Sequence, residues 1–218
     1  ILPKELEPVR NMNYQFLQSY DFTDEDIQEL IKPTVDNIRG AIGLQEGNDI
    51  DYGKMLLFLK GNKITEQDFI KEESDYVKAL MVNKEMMKDP FIKQRVHKMI
   101  KKKINDSKKG VIQVNGNYSI ISGDLYALCQ FMFKKEVTGC LKAGEFYART
   151  WLDKGVNKIV SYRAPMTIHN NIVKMNLVEN EITKKYFRYM TTCTVLNAWD
   201  TTVDALNGAD FDRFCRLI

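Results

Sequence analysis

Asp210 and Asp212 stand one residue apart in "LNGADFDRFCRLI", residues 206–218. If the backbone there is extended, both carboxylates point to the same side. Two carboxylates so placed repel one another unless a cation, a basic neighbour or water screens them. Hard oxygen ligands in that arrangement suit Mg²⁺, which takes one or two carboxylates and fills its remaining positions with waters and phosphates. The same three residues are equally a polar turn before a closing strand, so the pair needs support from the rest of the chain. A second polar segment, "YRAPMTIHNNIV" at 162–173, places His169 close to an arginine, a proline and two asparagines. A third feature is the basic band Lys93, Arg95, Lys98, Lys101, Lys102 and Lys103. These cations could line a phosphate backbone, which would make binding strongly salt dependent. The competing reading is a solvated helix face beside an acidic stretch. His97 lies within the band as a solvated or phosphate-neighbouring residue.

The charge distribution isolates that band. Residues 1–90 carry 11 Lys/Arg against 18 Asp/Glu, residues 91–110 carry 8 against 1, and residues 111–218 carry 13 against 10. The chain thus has an acidic part, a basic hinge-like segment and a near-neutral part. At 218 residues and 44% hydrophobic content it is long enough to bury a real core. No apolar run approaches the ~20 residues that span a bilayer, and the start has no signal-peptide pattern. Cys129, Cys140, Cys193 and Cys215 show no C-x-x-C pairing. They read as reduced, mostly buried thiols of a cytoplasmic protein rather than a zinc site. The first residue is Ile rather than Met, as expected of a trimmed product or a piece of something longer.

The elements that must position these residues change character near 105–110, "NDSKKG". The first half reads as helical. Thr23 caps "DEDIQELIKPTVDNIRGAIG", with Ile27, Leu30 and Ile31 on one face, Pro33 expected to kink or interrupt the helix and Gly40 near its end. "YGKMLLFLKG" predicts a short apolar helix. Thr65 caps a further helix carrying Phe69, Tyr76, Leu80 and Met81 at helical spacing. After Pro90, "FIKQRVHKMIKKKIND" predicts a basic amphipathic helix with Phe91, Val96, Ile100 and Ile104 on its apolar side. Beyond Gly110, "VIQVNGNYSIIS" predicts two strands around an Asn115-Gly116 hairpin turn. "GDLYALCQFMF" and "AGEFYARTWLDKG" read as helices, "NKIVSY" and parts of "MTIHNNIVKMNLV" as strands, "ENEITKKYFRYM" as a helix and "TTCTVLNA" as a strand. The expectation is an α+β chain, with a mostly helical domain over 1–108 and an α+β region over 109–218.

Two of these segments carry a resemblance when taken together. "YRAPMTIHNNIV" resembles the R-x-P-T-x-H segment of the large subunit of multisubunit RNA polymerases. "LNGADFD" resembles the N-A-D-F-D-G-D loop that follows it in that subunit, with order and approximate spacing in agreement. "VNGNYSIISGDLYALCQ", "KAGEFYARTWLDKGV", "SYRAPMTIHNNI" and "YFRYMTTCTVLNAWDTTVDALNGADFD" look like pieces of the single-chain, two-barrel RNA polymerases of phages and prophages, covering most of 110–212. Residues 1–90 match no motif.

The resemblance implies part of a double-psi β-barrel catalytic region that performs Mg²⁺- or Mn²⁺-dependent nucleotidyl transfer. The partners it implies are a DNA template, an RNA product, nucleoside triphosphates and further polymerase segments or a partner chain, in the bacterial host cytoplasm. Carried over by position, Asp210 and Asp212 would be metal ligands. Arg163 matches the arginine at the substrate sugar, and its guanidinium fork suits oxygen-rich partners. Pro165 would stiffen that segment. Asn207 corresponds to the asparagine near the ribose, offset by Gly208, and His169 would take a loop-positioning or substrate-side role. The sequence also departs from the pattern: Arg213 stands where Gly is expected and Phe214 where a third Asp is expected. A double-psi barrel needs strand beyond the loop, and six residues follow Asp212. The chain is therefore expected to be a segment of a larger polymerase, not active alone. The alternative is a nucleic-acid-binding or scaffold protein that keeps the ancestry without the chemistry.

Overall fold

Side-chain oxygens start the helices of the first half where the sequence supplies them. The computed structural model describes residues 6, 9–44, 55–56, 75–209 and 214–217. They group into one unit over Val9–Val114 and a second that contains Asn115–Ile218.

In the first unit, strand β1 (Val9–Asn11) and helix α1 (Tyr14–Gln18) precede α2 (Asp24–Ile42). Thr23 and Asp26 form a reciprocal cap at the start of α2: the Thr23 N–H donates to Asp26 at 3.0 Å, and the Asp26 N–H donates to the Thr23 hydroxyl at 3.3 Å. The helix continues through Pro33 and ends at Gly43, whose φ of 73° is left-handed, with Gly40 buried in its last turn, near the end as expected. Pro33 removes one N–H from the ladder, but the next residue is anchored from outside the helix. The buried Thr34 hydroxyl accepts from the Gln113 N–H at 2.9 Å.

Helix α3 (Asp75–Val82) buries Val77 and Leu80. A 3-10 turn at Lys84–Lys88 then leads into α4 (Pro90–Lys108), where Pro90 fills the first turn and Asp89 caps the Ile92 N–H at 3.0 Å. The buried stripe of α4 is Ile92, Val96 and Ile100, so Ile92 takes the place expected of Phe91. Spacing of four keeps those three residues in line. Phe91 is 57% exposed, with the Arg95 guanidinium 5.1 Å from its ring centre. The predicted helix start at Thr65, the Phe69 position and most of the predicted 52–61 helix lie outside the described residues.

Strand β2 (Gln113–Asn115) pairs with β1, and β3 (Asn117–Gly123) belongs to a different sheet. The expected hairpin at Asn115-Gly116 is therefore absent. Asn115 is itself the last residue of β2, and neither residue adopts the positive φ of a two-residue hairpin turn.

The second unit is built on a closed six-stranded barrel. After β3 come α5 (Leu125–Met132), β4 (Glu145–Tyr147), α6 (Arg149–Leu152), β5 (Lys158–Tyr162), a 3-10 turn (His169–Asn171) and β6 (Ile172–Leu177). Then follow α7 (Glu181–Tyr186), β7 (Cys193–Leu196), α8 (Thr202–Ala205) and β8 (Phe214–Leu217). Around the barrel the order is β3-β7-β4-β6-β5-β8, with β3/β7 and β4/β6 parallel and the other neighbours antiparallel. The stretch expected to be one helix over "AGEFYARTWLDKG" is divided: Glu145–Tyr147 joins the barrel, because Phe146 and Tyr147 bury their rings and pair with Leu196 and Val195 of β7. Ile121, Phe146, Ile159, Met175 and Leu196 fill the interior, with Trp151 and Leu206 packed against them. Each such burial contributes ~1.5–3 kcal/mol.

The strand required beyond the carboxylate loop is β8, which pairs Asn117–Ile120 of β3 on one side and Ser161–Tyr162 of β5 on the other. Removing residues 214–218 would leave β3 and β5 as open edges. The expected result is a lowered melting temperature together with concentration-dependent association, measured by differential scanning fluorimetry and light scattering. A truncated chain that melts like the parent would show that β8 does not close the barrel.

Among the described residues, no helix is long and apolar enough to cross a membrane. Cys140 and Cys193 are buried free thiols, and Cys129 is an exposed one. Burial, followed by the Asp124 carboxylate, pushes the Cys140 thiol up to about 12, and burial raises Cys193 as well. Because the thiolate is the nucleophile, iodoacetamide at neutral pH should modify Cys129 and spare Cys140 and Cys193 until the protein unfolds. Peptide mass spectrometry checks this.

Candidate functional site

Arg163 follows the last residue of β5, and Asn207 follows the end of α8, so two barrel connections deliver them from 44 residues apart. Three side-chain hydrogen bonds join these connections. The Arg163 Nη1 donates to the Asn207 carbonyl at 2.9 Å. The Asn207 Nδ2 donates back to the Pro165 carbonyl at 3.3 Å. The Asn171 Nδ2 donates to the Ala205 carbonyl at 2.8 Å. Asn171 is 2% exposed, and its Oδ1 accepts from the Thr167 N–H at 2.8 Å, the Ile168 N–H at 3.0 Å and the Thr167 hydroxyl at 3.2 Å. One amide thus shapes the 167–171 turn and fastens it to the end of α8.

The loop after α8 reverses direction by local means. Asn207 and Gly208 both take left-handed conformations, with φ of 60° and 57°. Asparagine tolerates this region better than other residues that carry a Cβ, and glycine enters it without strain. The Gly208 N–H donates to the Asp204 carbonyl at 3.2 Å and the Ala209 N–H to the Val203 carbonyl at 3.1 Å. Ala209 is buried against the core. The backbone is therefore fixed up to the residue before Asp210. Asp210, Asp212 and Arg213 lie outside the described residues. Phe214, at the position where a third Asp was expected, is the first residue of β8.

His169 opens the 3-10 turn that Asn171 closes, and its side chain is outside the described set. Arg163 is half-buried, and one of its N–H groups is committed to Asn207. That bond makes it a fastener of the loop in addition to the substrate contact expected from the resemblance. Among the described residues no cluster of three or more His, Cys, Asp or Glu is placed to hold a metal.

The basic band lies in the other unit, on α4. Lys93, Arg95, Lys98, Lys101 and Lys102 are exposed, whereas Lys103 is half-buried. Lys103 stands three residues past Ile100 and so falls on the core side of the helix. Burial lowers its ammonium below the ordinary lysine value, and Asp106 offsets part of that. Lys103 is accordingly set apart from the exposed face, on which Arg95, Lys98 and Lys102 follow i, i+3, i+7 spacing.

The residue that sequence reasoning missed is Asn171. "HNN" contains two adjacent asparagines, and only the fold distinguishes the exposed Asn170 from the buried Asn171. A second unanticipated polar knot holds the connection after β7. The Asn197 Nδ2 donates to the Asp200 carboxylate at 2.6 Å, and the Gly144 N–H donates to the same oxygen at 3.1 Å. Burial pushes the Asp200 carboxyl up, but bonds from Thr202, Asn197 and Gly144 outweigh it and hold the group below the usual aspartate value.

No protein-family model matches the chain. Over 180 residues, 81% of its length, it is 27% identical to the DNA-directed RNA polymerase YonO of Bacillus phage SPbeta. The chain is similar to the single-chain phage RNA polymerases. The 180 matched residues exceed what 111–218 contains, so the likeness extends into the helical first half, where no motif was legible. Among solved structures, the RNA dependent RNA polymerase QDE-1 from Thielavia terrestris superposes with a TM-score of 0.60 at 13% identity, covering 98% of this chain. That match shows a mixed α+β fold shared with part of that polymerase. The chain spans 20% of the length of the phage polymerase and 25% of the fungal one.

Proposed function

We propose that this chain is the carboxylate-loop segment of a phage-type RNA polymerase that extends RNA on a DNA template in the bacterial host cytoplasm. The observation that supports this reading is the fastening of 163–171 to 205–207 directly ahead of Asp210, on a polymerase-like barrel. Asp210 and Asp212 would hold Mg²⁺ or Mn²⁺. Their hard oxygens and low count fit an ion that also takes waters and substrate phosphates. When bound, the ion supplies Lewis-acid stabilisation of the attacking and leaving oxygens in an in-line displacement at the α-phosphate. The chain's own residues do the positioning: Arg163 offers N–H donors to the sugar side of the nucleotide, and Asn171 and Asn207 keep the loop from drifting.

The test uses the full-length polypeptide that contains this sequence, a DNA template and labelled nucleoside triphosphates. Template-dependent incorporation that requires Mg²⁺ or Mn²⁺ and stops with a chelator is expected. Incorporation that persists in chelator, or none on any template, overturns the reading. Extension on RNA templates alone would keep the chemistry and remove the DNA assignment.

One observation favours a binding protein without catalysis: Phe214 heads β8 where a third carboxylate was expected. Both readings place phosphates on α4. Replacing Lys98 and Lys102 by alanine should weaken duplex binding and make the slope of log K against log salt shallower by about 1.5–2. An unchanged slope in a salt titration would show that the band does not touch the backbone.

A further inference from the structure

On the barrel unit, α7 and the turn after it present aromatic rings and cations together. Tyr189 is 80% exposed and Tyr186 is 46% exposed. The Arg188 guanidinium lies 4.5 Å from the centre of the Tyr189 ring, and the Lys185 ammonium lies 5.1 Å from that of Tyr186. Tyr186 also stacks on Tyr126, with centroids 4.5 Å apart and planes inclined by 31°.

This surface is rigidly mounted. Phe187, between the two tyrosines, is 1% exposed and packs against Tyr147 at 5.4 Å. The Arg149 Nη1 donates to the Arg188 carbonyl at 2.9 Å, and the Thr150 hydroxyl donates to the Thr191 carbonyl at 2.9 Å. The Asn180 capping box fixes the other end of α7. A ring as exposed as Tyr189 gives the core little stabilisation, so its fixed presentation is available for a ligand. Lys184 leans toward Glu179 at 3.5 Å, an exposed pair that an incoming phosphate replaces at little cost.

Exposed tyrosines interleaved with cations are what single-stranded nucleic acid requires: π-faces for bases and positive charge for the backbone. We propose that Tyr126, Lys184, Lys185, Tyr186, Arg188 and Tyr189 form a binding surface for single-stranded nucleic acid. Bases stack on Tyr189 and on the Tyr126–Tyr186 pair, while Lys184, Lys185 and Arg188 meet the phosphates. Duplexes, whose bases are already stacked on one another, gain only the phosphate contacts. This surface stands apart from the metal-loop assignment, since stacking needs neither metal nor triphosphate.

The experiment is fluorescence anisotropy with fluorescein-labelled 12-mers of deoxythymidine and uridine, and a labelled duplex, on the complete chain in chelator at fixed salt. The double variant Y186A/Y189A is expected to lose at least about tenfold in affinity for the single strands and to change duplex affinity by less than about twofold. Tyr189→Phe, which keeps the π-face, should bind like the parent. Unchanged single-strand affinity in the double variant overturns the proposal, as does an equal loss for the duplex or a failure of Tyr189→Phe to bind. Tyr189→Ala alone is the fallback if the double variant melts early, because an 80% exposed ring can be removed without opening the core; it should still lose several-fold. Cross-linking of 5-iodouridine oligonucleotides to peptides without Tyr186 or Tyr189 would also count against it. A polymerase assay that fails leaves these outcomes unaffected.

Discussion

Alanine at Asp210 or Asp212 in the full-length polypeptide is expected to reduce nucleotide incorporation by at least about a thousandfold. Each tenfold in rate corresponds to about 1.4 kcal/mol of barrier. A carboxylate that holds a metal over the reacting phosphate is worth several times that. Single-turnover incorporation measures the loss, and thermal melting shows that it is not a folding defect. Activity within about tenfold of the parent after both substitutions would sink the metal-ligand assignment. Asn171→Ala provides a contrast. It removes the bond to Ala205 and should cost a smaller, graded part of the rate while leaving the metal requirement in place.

The largest effect on stability is expected at Asp124. This carboxylate is 4% exposed and accepts four backbone N–H groups. Those of Tyr126 and Ala127 lie at 3.0 and 3.2 Å and start α5; those of Cys140 and Leu141 hold the loop that returns to β4. Gly139 shows how closely the loop approaches. Its φ is 66°, and a Cβ there would lie 2.8 Å from the Asp124 Oδ2. Asp124→Ala loses an N-cap worth about 1 kcal/mol and strands two buried N–H groups at about 1–3 kcal/mol each. A total of roughly 3–7 kcal/mol lowers the melting temperature of a unit of this size by about 12 °C or more. Asp124→Asn keeps the cap but turns an NH₂ toward two donors, so it should fall between parent and alanine. A shift of under about 3 °C for alanine, by calorimetry, would show that the carboxylate is not the clamp.

The two asparagines and two aspartates of the candidate site were legible to different depths. Asp210 and Asp212 stood out because their chemistry is written in spacing along one loop. Asn207 was legible only through its resemblance to the asparagine near the ribose; its left-handed φ of 60°, followed by 57° at Gly208, came with the fold. Asn171 was invisible, since its role depends on a carbonyl 34 residues away.

Local physics determined the helix caps at Thr23, Asp89 and Asp124, the change of texture near residue 110 and the strands at 158–162 and 193–196. For the caps the deciding hydrogen bond lies within three residues; for the strands, β-branched residues such as Ile159, Val160, Thr194 and Val195 mark the segment locally. Strand pairing was decided by tertiary structure alone: β2 and β3 have hairpin-like sequence and lie in different sheets, and Glu145–Tyr147 leaves a helical pattern to join the barrel. The residues Phe214–Leu217 close that barrel. A strand's hydrogen-bonding groups carry no address, and a side chain's burial depends on what the rest of the chain brings to it. The sequence therefore determines which segments can be strands, and packing of the whole barrel interior selects which of them meet.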